Sequence, residues 1–246
     1  MILLVDNSNT RTKFALAKDG KLLPGLRSLP TADITPAALR GALDGWQFSR
    51  AVICSVVPQA AEALRAALRC PIREICAQSA PKLLRHYPQP ETLGADRIAN
   101  AAAVAALYPL PCIAIDLGTA CTFDLVTPEN GEPSFAGGII SPGLQTIADG
   151  LAAKAALLPR LEPTELATEP APLGRSTRSA LHAGLHLGYR GMLLHITHTL
   201  AAQLSAPTCA VITGGDAELF STVPGLNTYI DKTLTLKGIL QLTTDD

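Results

Sequence analysis

The sequence starts the same way twice. An apolar strand ends in an aspartate, a tight polar turn follows, and a threonine-containing second strand comes next. This plan is read at Leu4-Val5-Asp6-Asn7-Ser8-Asn9-Thr10 and again at Ile113-Ala114-Ile115-Asp116-Leu117-Gly118-Thr119. Apolar strands often end in Asp through turn chemistry alone, so one occurrence carries no weight. Two occurrences, each opening a similar order of elements, point to a duplication. Asp6 and Asp116 stand 110 residues apart, about the length of one small domain. The expectation is two related α/β domains facing each other, the first over 1–110 and the second over 111–246.

Periodicity and breakers predict the elements within each half. In the first, residues 2–5 read as a buried strand, 12–17 as its hairpin partner and 36–43 as a short helix. A strand over 51–57 stops at Pro58. An amphipathic helix over 59–68 carries Glu62, Arg65 and Arg69 on its polar side. A helix over 96–107 ends before Pro109. In the second half, strands at 112–115 and 122–126 precede a turn at Pro128-Glu129-Asn130-Gly131. A strand at 134–140 and a helix at 143–156 follow. Four prolines between 159 and 173 predict a loop. Helix resumes over 176–203, a strand covers 210–213, and Gly214-Gly215 precedes a helix start. The tail reads as a last strand near 234–236 and a closing helix.

Several function classes are excluded by charge and composition. The formal net charge is -1, which gives no electrostatic footprint for nucleic acid or an acidic membrane surface. No apolar stretch approaches the ~18 residues of a membrane span. Asp6 interrupts the N-terminal apolar run too early for a signal peptide. The six cysteines form no C-x-x-C pair, and Cys54, Cys112 and Cys209 lie inside apolar runs where a thiol acts as a small hydrophobe. That usage fits a reducing compartment, and the expected location is the cytoplasm.

The chain has neither a G-x-x-x-x-G-K-[ST] loop nor a G-x-G-x-x-G loop. A phosphate site would then come from the hairpin turns at 6–10 and 116–120, whose successive amides form anion-binding concavities. An aspartate beside such a turn could hold a cation directly or through water. Gly137-Gly138 with Pro142-Gly143, and Thr213-Gly214-Gly215-Asp216-Ala217, read either as bends or as places where a ligand meets the backbone. Gly94-Ala95-Asp96-Arg97 sits at a helix entry and has two readings. Asp96 is a helix N-cap, or it is a general base with Arg97 holding an anionic substrate group. The pairs His182/His186 and His195/His198 lack a zinc-protease pattern, and no G-x-S-x-G elbow is present.

At this point the residues resemble a known family, the type III pantothenate kinases. Asp6-Asn7-Ser8-Asn9-Thr10-Arg11-Thr12-Lys13 resembles its D-x-G-N-[ST]-R-x-K phosphate motif, and Ser55-Val56-Val57-Pro58 its S-V-V-P strand end. Gly94-Ala95-Asp96-Arg97, with Asn100, matches G-A-D-R. The run from Asp116 to Asp124, through Gly118, Thr119, Ala120 and Thr122, matches D-x-G-T-A-x-T-x-D. Gly137-Gly138, Pro142-Gly143, Gly174-Arg175-Ser176-Thr177, Thr213-Gly214-Gly215-Asp216-Ala217 and Leu236-Lys237-Gly238 follow in family order.

The resemblance implies two duplicated ribonuclease-H-like domains of the actin-like ATPase type, with a nucleotide cleft between them. It implies ATP-dependent phosphorylation of pantothenate, a homodimer, Mg²⁺ and a monovalent cation, K⁺ or NH₄⁺. Asp96 would be the base. ATP would be held by Asp6, Asn7, Ser8, Asn9, Thr10, Arg11, Thr12, Lys13 and Thr119. Asp6 would orient Mg²⁺ through water, and Asp116 would hold K⁺. Tyr87, Gly94, Ala95, Asp96 and Arg97 would line the pantothenate pocket, with Thr177 reaching it from the second subunit. Position 8 departs from the pattern, with Ser where the family carries Gly. If that position requires φ > 0, the serine Cβ crowds the turn and weakens ATP binding. The alternatives are another actin-like small-molecule kinase and a non-catalytic transcription accessory factor of the same family.

Overall fold

Strand β1 (Ile2–Asn7) is buried without interruption from Leu3 to Asn7, the pattern of a strand covered on both faces rather than one. That burial makes it the hub of a sheet. It pairs antiparallel with β2 (Arg11–Lys18) and parallel, further along the chain, with a crossover strand. In this computed structural model, which describes residues 1–243, the first sheet is completed by β3 (Lys21–Leu22), β4 (Arg27–Pro30), β5 (Arg50–Ser55) and β6 (Ile72–Glu74). Its order is β3-β2-β1-β5-β6, with β4 alongside β2. Helix α1 (Pro36–Ala42) lies between β4 and β5, and α2 (Pro58–Ala67) between β5 and β6. Pro58 opens α2 at the position where a missing N–H costs nothing. Leu3, Val5, Phe14, Ile53 and Leu64 form the centre of this core. Helix α3 (Ala95–Leu107) follows.

The second sheet repeats the first. It is built from β7 (Cys112–Leu117), β8 (Ala120–Glu129), β9 (Glu132–Pro142), β10 (Cys209–Gly214) and β11 (Asn227–Ile230). Read from β9, the order is β9-β8-β7-β10-β11, which superimposes strand for strand on β3-β2-β1-β5-β6. Directions repeat as well. β7 is antiparallel to β8 and parallel to β10, and β10 is parallel to β11, as β5 is to β6. Helices α4 (Leu144–Lys154), α5 (Pro163–Leu166) and α6 (Thr177–Ala201) lie between β9 and β10, and α7 (Leu234–Gln241) ends the described chain. Ile113, Phe123, Leu144, Leu193 and Ile212 anchor this core.

The chain divides into two units, and the division is not a single cut. One unit comprises Met1–Pro109, Pro128–Ala136 and the chain from Thr233 on; the other comprises Leu110–Thr127 and Gly137–Lys232. Two segments of the sequence's second half therefore cluster with its first half.

The tail differs from expectation. Residues 234–236, read as a strand, are the first turn of α7. Leu234, Thr235 and Leu236 are all buried, and the Thr235 hydroxyl donates to Asn100 Oδ1 on α3 at 2.8 Å. Gly238 fits α7 against α3 so closely that a Cβ there would stand 1.8 Å from the Ala99 carbonyl oxygen. The short strands β3, β4, β6 and β11 were not anticipated, and α5 interrupts the segment read as a loop. All six cysteines are free thiols, with Cys54, Cys112 and Cys209 buried. Among the described residues no helix is long and apolar enough to cross a membrane.

Candidate active site

The β1–β2 turn carries the residues expected to hold phosphate. Asp6 sits opposite Lys13 in the ladder, and the Lys13 Nζ lies 3.5 Å from Asp6 Oδ2. The Ser8 hydroxyl donates to Asp6 Oδ1 at 2.8 Å. Burial pushes the Asp6 carboxyl above its ordinary range, while Lys13 and Ser8 pull it back. Asn7 and Thr12 are buried and bonded to each other, Asn7 Nδ2 donating to Thr12 Oγ1 at 2.7 Å. Asn9, Thr10 and Arg11 are exposed on the tip. Ser8 is not in the left-handed region: among the described residues, Asp19 and Asn130 are the non-glycine positions with positive φ. The strain expected of a serine there is absent, and its side chain instead bonds the buried carboxylate.

Asp96 belongs to the same unit. The N-cap of α3 is Gly94, not Asp96, so the capping reading is displaced by two residues. The Asp96 carboxylate lies within the first helical turn and accepts the Arg97 backbone N–H at 2.8 Å. A Cβ at position 94 would stand 2.7 Å from Asp96 Oδ1, so glycine makes room for the carboxylate. Burial raises the Asp96 pKa most; the Arg97 amide lowers it, the Asp6 charge raises it again, and the Arg97 charge lowers it. The net direction is upward. A half-buried carboxylate with a raised pKa is a stronger base than an exposed one, as a proton acceptor requires.

Tyr87 and Arg97 share a platform that the motifs do not contain. The Tyr87 ring meets the edge of Phe135 with centroids 5.1 Å apart, and the Arg97 guanidinium lies 5.8 Å from the centre of the same ring. Phe135 is fully buried, and its N–H donates to the Leu83 carbonyl at 2.9 Å. It had no signal in the sequence beyond being an aromatic in a strand. Ala95 is buried at the helix start.

In the other unit, the turn after β7 holds Asp116, Gly118 and Thr119. The Thr119 carbonyl accepts the Gly143 N–H at 3.0 Å and the Thr146 hydroxyl at 2.7 Å, tying the turn to the start of α4. Asp116 is half-buried and in register with Thr122 on one side and Thr213 on the other. Asp216 follows Gly215, and its N–H donates to the Leu117 carbonyl at 3.3 Å. Burial raises the Asp216 pKa. Burial pushes the Cys121 thiol up to about 12, against a hydrogen bond with Tyr189 and with the charges of Asp116 and Asp216 adding to the rise. Thr177 is the exposed first residue of α6, whose N-terminus is closed by reciprocal bonds between Ser176 and Ser179. Of the paired histidines, His186 is buried against Phe220. No cluster of His, Cys, Asp and Glu among the described residues could hold a metal ion by itself.

The sequence profile of the type III pantothenate kinase family matches residues 2–199. This chain belongs to that family. A type III pantothenate kinase of Akkermansia muciniphila is 39% identical over 237 residues, covering 96% of each chain. That of Methylacidiphilum infernorum is 37% identical over 241 residues, covering 97% of this chain and 86% of its own. Among solved structures, a ROK family glucokinase from Streptomyces griseus in complex with glucose and AMPPNP aligns with a TM-score of 0.55 at 10% identity, covering 98% and 97% of the two chains. At that identity the likeness concerns the fold. This type III pantothenate kinase family member has an α/β fold of two duplicated ribonuclease-H-like domains, with which the repeated strand order agrees.

Proposed function

We propose that this protein transfers the γ-phosphoryl group of ATP to the primary hydroxyl of pantothenate, the first step of coenzyme A synthesis. Family membership supports the activity. The observation that carries the mechanism is the Asp96 carboxylate, half-buried, raised in pKa and bonded to the Arg97 backbone N–H in the first turn of α3. Asp96 takes the hydroxyl proton as the substrate oxygen attacks phosphorus. The P–O bond to the β-phosphate breaks, and ADP leaves with that electron pair. Phosphoryl transfer of this kind depends on positioning and charge neutralisation more than on covalent chemistry. The amides and side chains of residues 6–13, with Thr119, hold the phosphates. Arg97 receives the pantothenate carboxylate, and Tyr87 and the 94–97 turn line its pocket.

A kinase of this kind uses ATP with a divalent metal. Mg²⁺ retains several waters and asks for one or two carboxylates beside the substrate phosphates. Asp6 with its turn fits that demand: it is one carboxylate with hydroxyl and amide neighbours rather than a closed protein cage. When bound, Mg²⁺ neutralises phosphate charge. We assign the monovalent cation, K⁺ or NH₄⁺, to Asp116.

A homodimer is supported by α6. Ala180, Gly184, Leu187, Gly188, Gly191 and His195 form one exposed stripe along it, and a Cβ at Gly184, Gly188 or Gly191 would meet nothing within 4 Å. Thr177 heads the same helix, and we assign it to the partner's pantothenate pocket. The cytoplasm is the proposed location.

The non-catalytic alternative rested on Ser8, and the unstrained turn removes that support. The deciding experiment is turnover with pantothenate, ATP, Mg²⁺ and K⁺, read as ADP and phosphorylated product. ADP release with another hydroxylated acid or sugar but not with pantothenate would keep the kinase and discard the substrate. No ADP with any acceptor would discard both.

A further inference from the structure

Thr31 lies outside every motif, directly after β4, and is buried. It ends a relay of side-chain hydrogen bonds that crosses the sheet. The Ser55 hydroxyl donates to Asn7 Oδ1 at 2.6 Å, and Asn7 Nδ2 donates to Thr12 Oγ1 at 2.7 Å. Thr12 Oγ1 and Thr31 Oγ1 are 3.0 Å apart, and the Thr31 hydroxyl donates to the Ser8 carbonyl at 2.7 Å. A hydroxyl has one proton to give. Thr31 gives its proton to Ser8, so Thr12 donates to Thr31, and every link has one direction. The Thr31 backbone N–H also donates to the Thr10 carbonyl at 3.0 Å. One residue thus holds two carbonyls of the turn, two residues apart.

We propose that Thr31 is a positioning residue for nucleotide binding, acting by fixing the peptide plane between Ser8 and Asn9. In a planar trans peptide the carbonyl and the next N–H point in opposite directions. Holding the Ser8 carbonyl toward Thr31 therefore aims the Asn9 N–H at the opposite side of the turn. A flipped plane would present a carbonyl oxygen, partially negative, where an anion requires a donor. The relay makes that flip costly, because it would leave the Thr31 hydroxyl and, behind it, a buried chain without its acceptor. The inference rests on the reading that residues 6–13 hold the phosphates, and it deepens that reading by naming what sets the turn.

The test compares Thr31→Val, isosteric without the hydroxyl, with Thr31→Ser, which keeps it. Titration calorimetry with ADP and Mg²⁺ gives nucleotide affinity independently of turnover, and steady-state kinetics give the two KM values. Thr31→Val is expected to weaken ADP binding and raise the KM for ATP about tenfold, the scale of one lost buried hydrogen bond, with the pantothenate KM unchanged. Thr31→Ser is expected to stay within about twofold of wild type. Wild-type nucleotide affinity in Thr31→Val overturns the proposal. So does a Thr31→Ser protein as weak as Thr31→Val, since the methyl rather than the hydroxyl would then matter. If Thr31→Val does not fold, Thr31→Ala, which has no donor, replaces it, and undiminished affinity there is equally fatal. A wild-type protein that binds no nucleotide sinks the phosphate-turn reading itself. A wild-type protein that binds, with Thr31→Val equal to it, sinks only the role of Thr31.

Discussion

Asp6 is buried and Asp96 half-buried; desolvation lifts both folded-state pKa values above the ordinary range, and for Asp96 the charge of Asp6 adds to it. For an acid with a raised folded pKa, the folded state binds the proton more tightly than the unfolded chain. Its contribution to stability is therefore greatest at low pH and falls as pH rises from the ordinary carboxyl value through the raised one. Activity moves the other way, because a base must be ionised to act. The acid limb of kcat/KM should thus lie above the value of an exposed aspartate. Asp96→Asn should lower turnover by about 10²–10⁴ while melting at the same temperature or slightly higher at pH 7, since a neutral isostere no longer buries a charge. Full turnover in a folded Asp96→Asn protein would refute the base. Ser8 gives a prediction opposite in sign to the one a strained turn suggests. Ser8→Gly removes the hydroxyl that bonds Asp6 and should raise the KM for ATP about three- to tenfold; a lower KM would mean that the serine obstructs the turn after all.

Element by element, the sequence displayed the duplicated hairpins and the longer helices because their apolar periods are uninterrupted. It concealed what depends on neighbours. Thr233-Leu234-Thr235-Leu236-Lys237 alternates like a strand, yet Asn100 accepts the Thr235 hydroxyl and α3 packs against the rest, so tertiary contact overrides local pattern. Strands β3, β4, β6 and β11 are two to four residues long, too short to show a period. At the site, Asp6 and Asp96 were legible because they lie at strand and helix ends. Thr31 and Phe135 were not, because a threonine after a short edge strand and a phenylalanine inside a strand are ordinary. Strand β9 supplies Phe135, the ring against which Tyr87 and Arg97 are held. Phe135→Leu should raise the pantothenate KM with little change for ATP, and cost about 1 kcal/mol of stability by altering core shape. Equal changes in both KM values would show general loosening rather than loss of this platform.

At the level of the whole molecule, the exposed glycine stripe of α6 is the feature with a measurable consequence. Sedimentation should give a mass near twice the 25.7 kDa of the chain. Gly188→Leu, placed where a side chain has free space in the monomer, should shift that mass toward the single chain and reduce pantothenate binding together with it. A dimer that survives this change would move the interface elsewhere. The division of the chain into units has a separate consequence, for biosynthesis. A ribosome releases residues 1–109 first, and the N-terminal part of a protein commonly folds as it emerges. Here that cannot finish: the segment Pro128–Ala136, which bears Phe135, and helix α7 both belong to the first unit and come later. The unit whose first segment is made earliest must therefore wait until α7 has been made, after most of the other unit, to close its core.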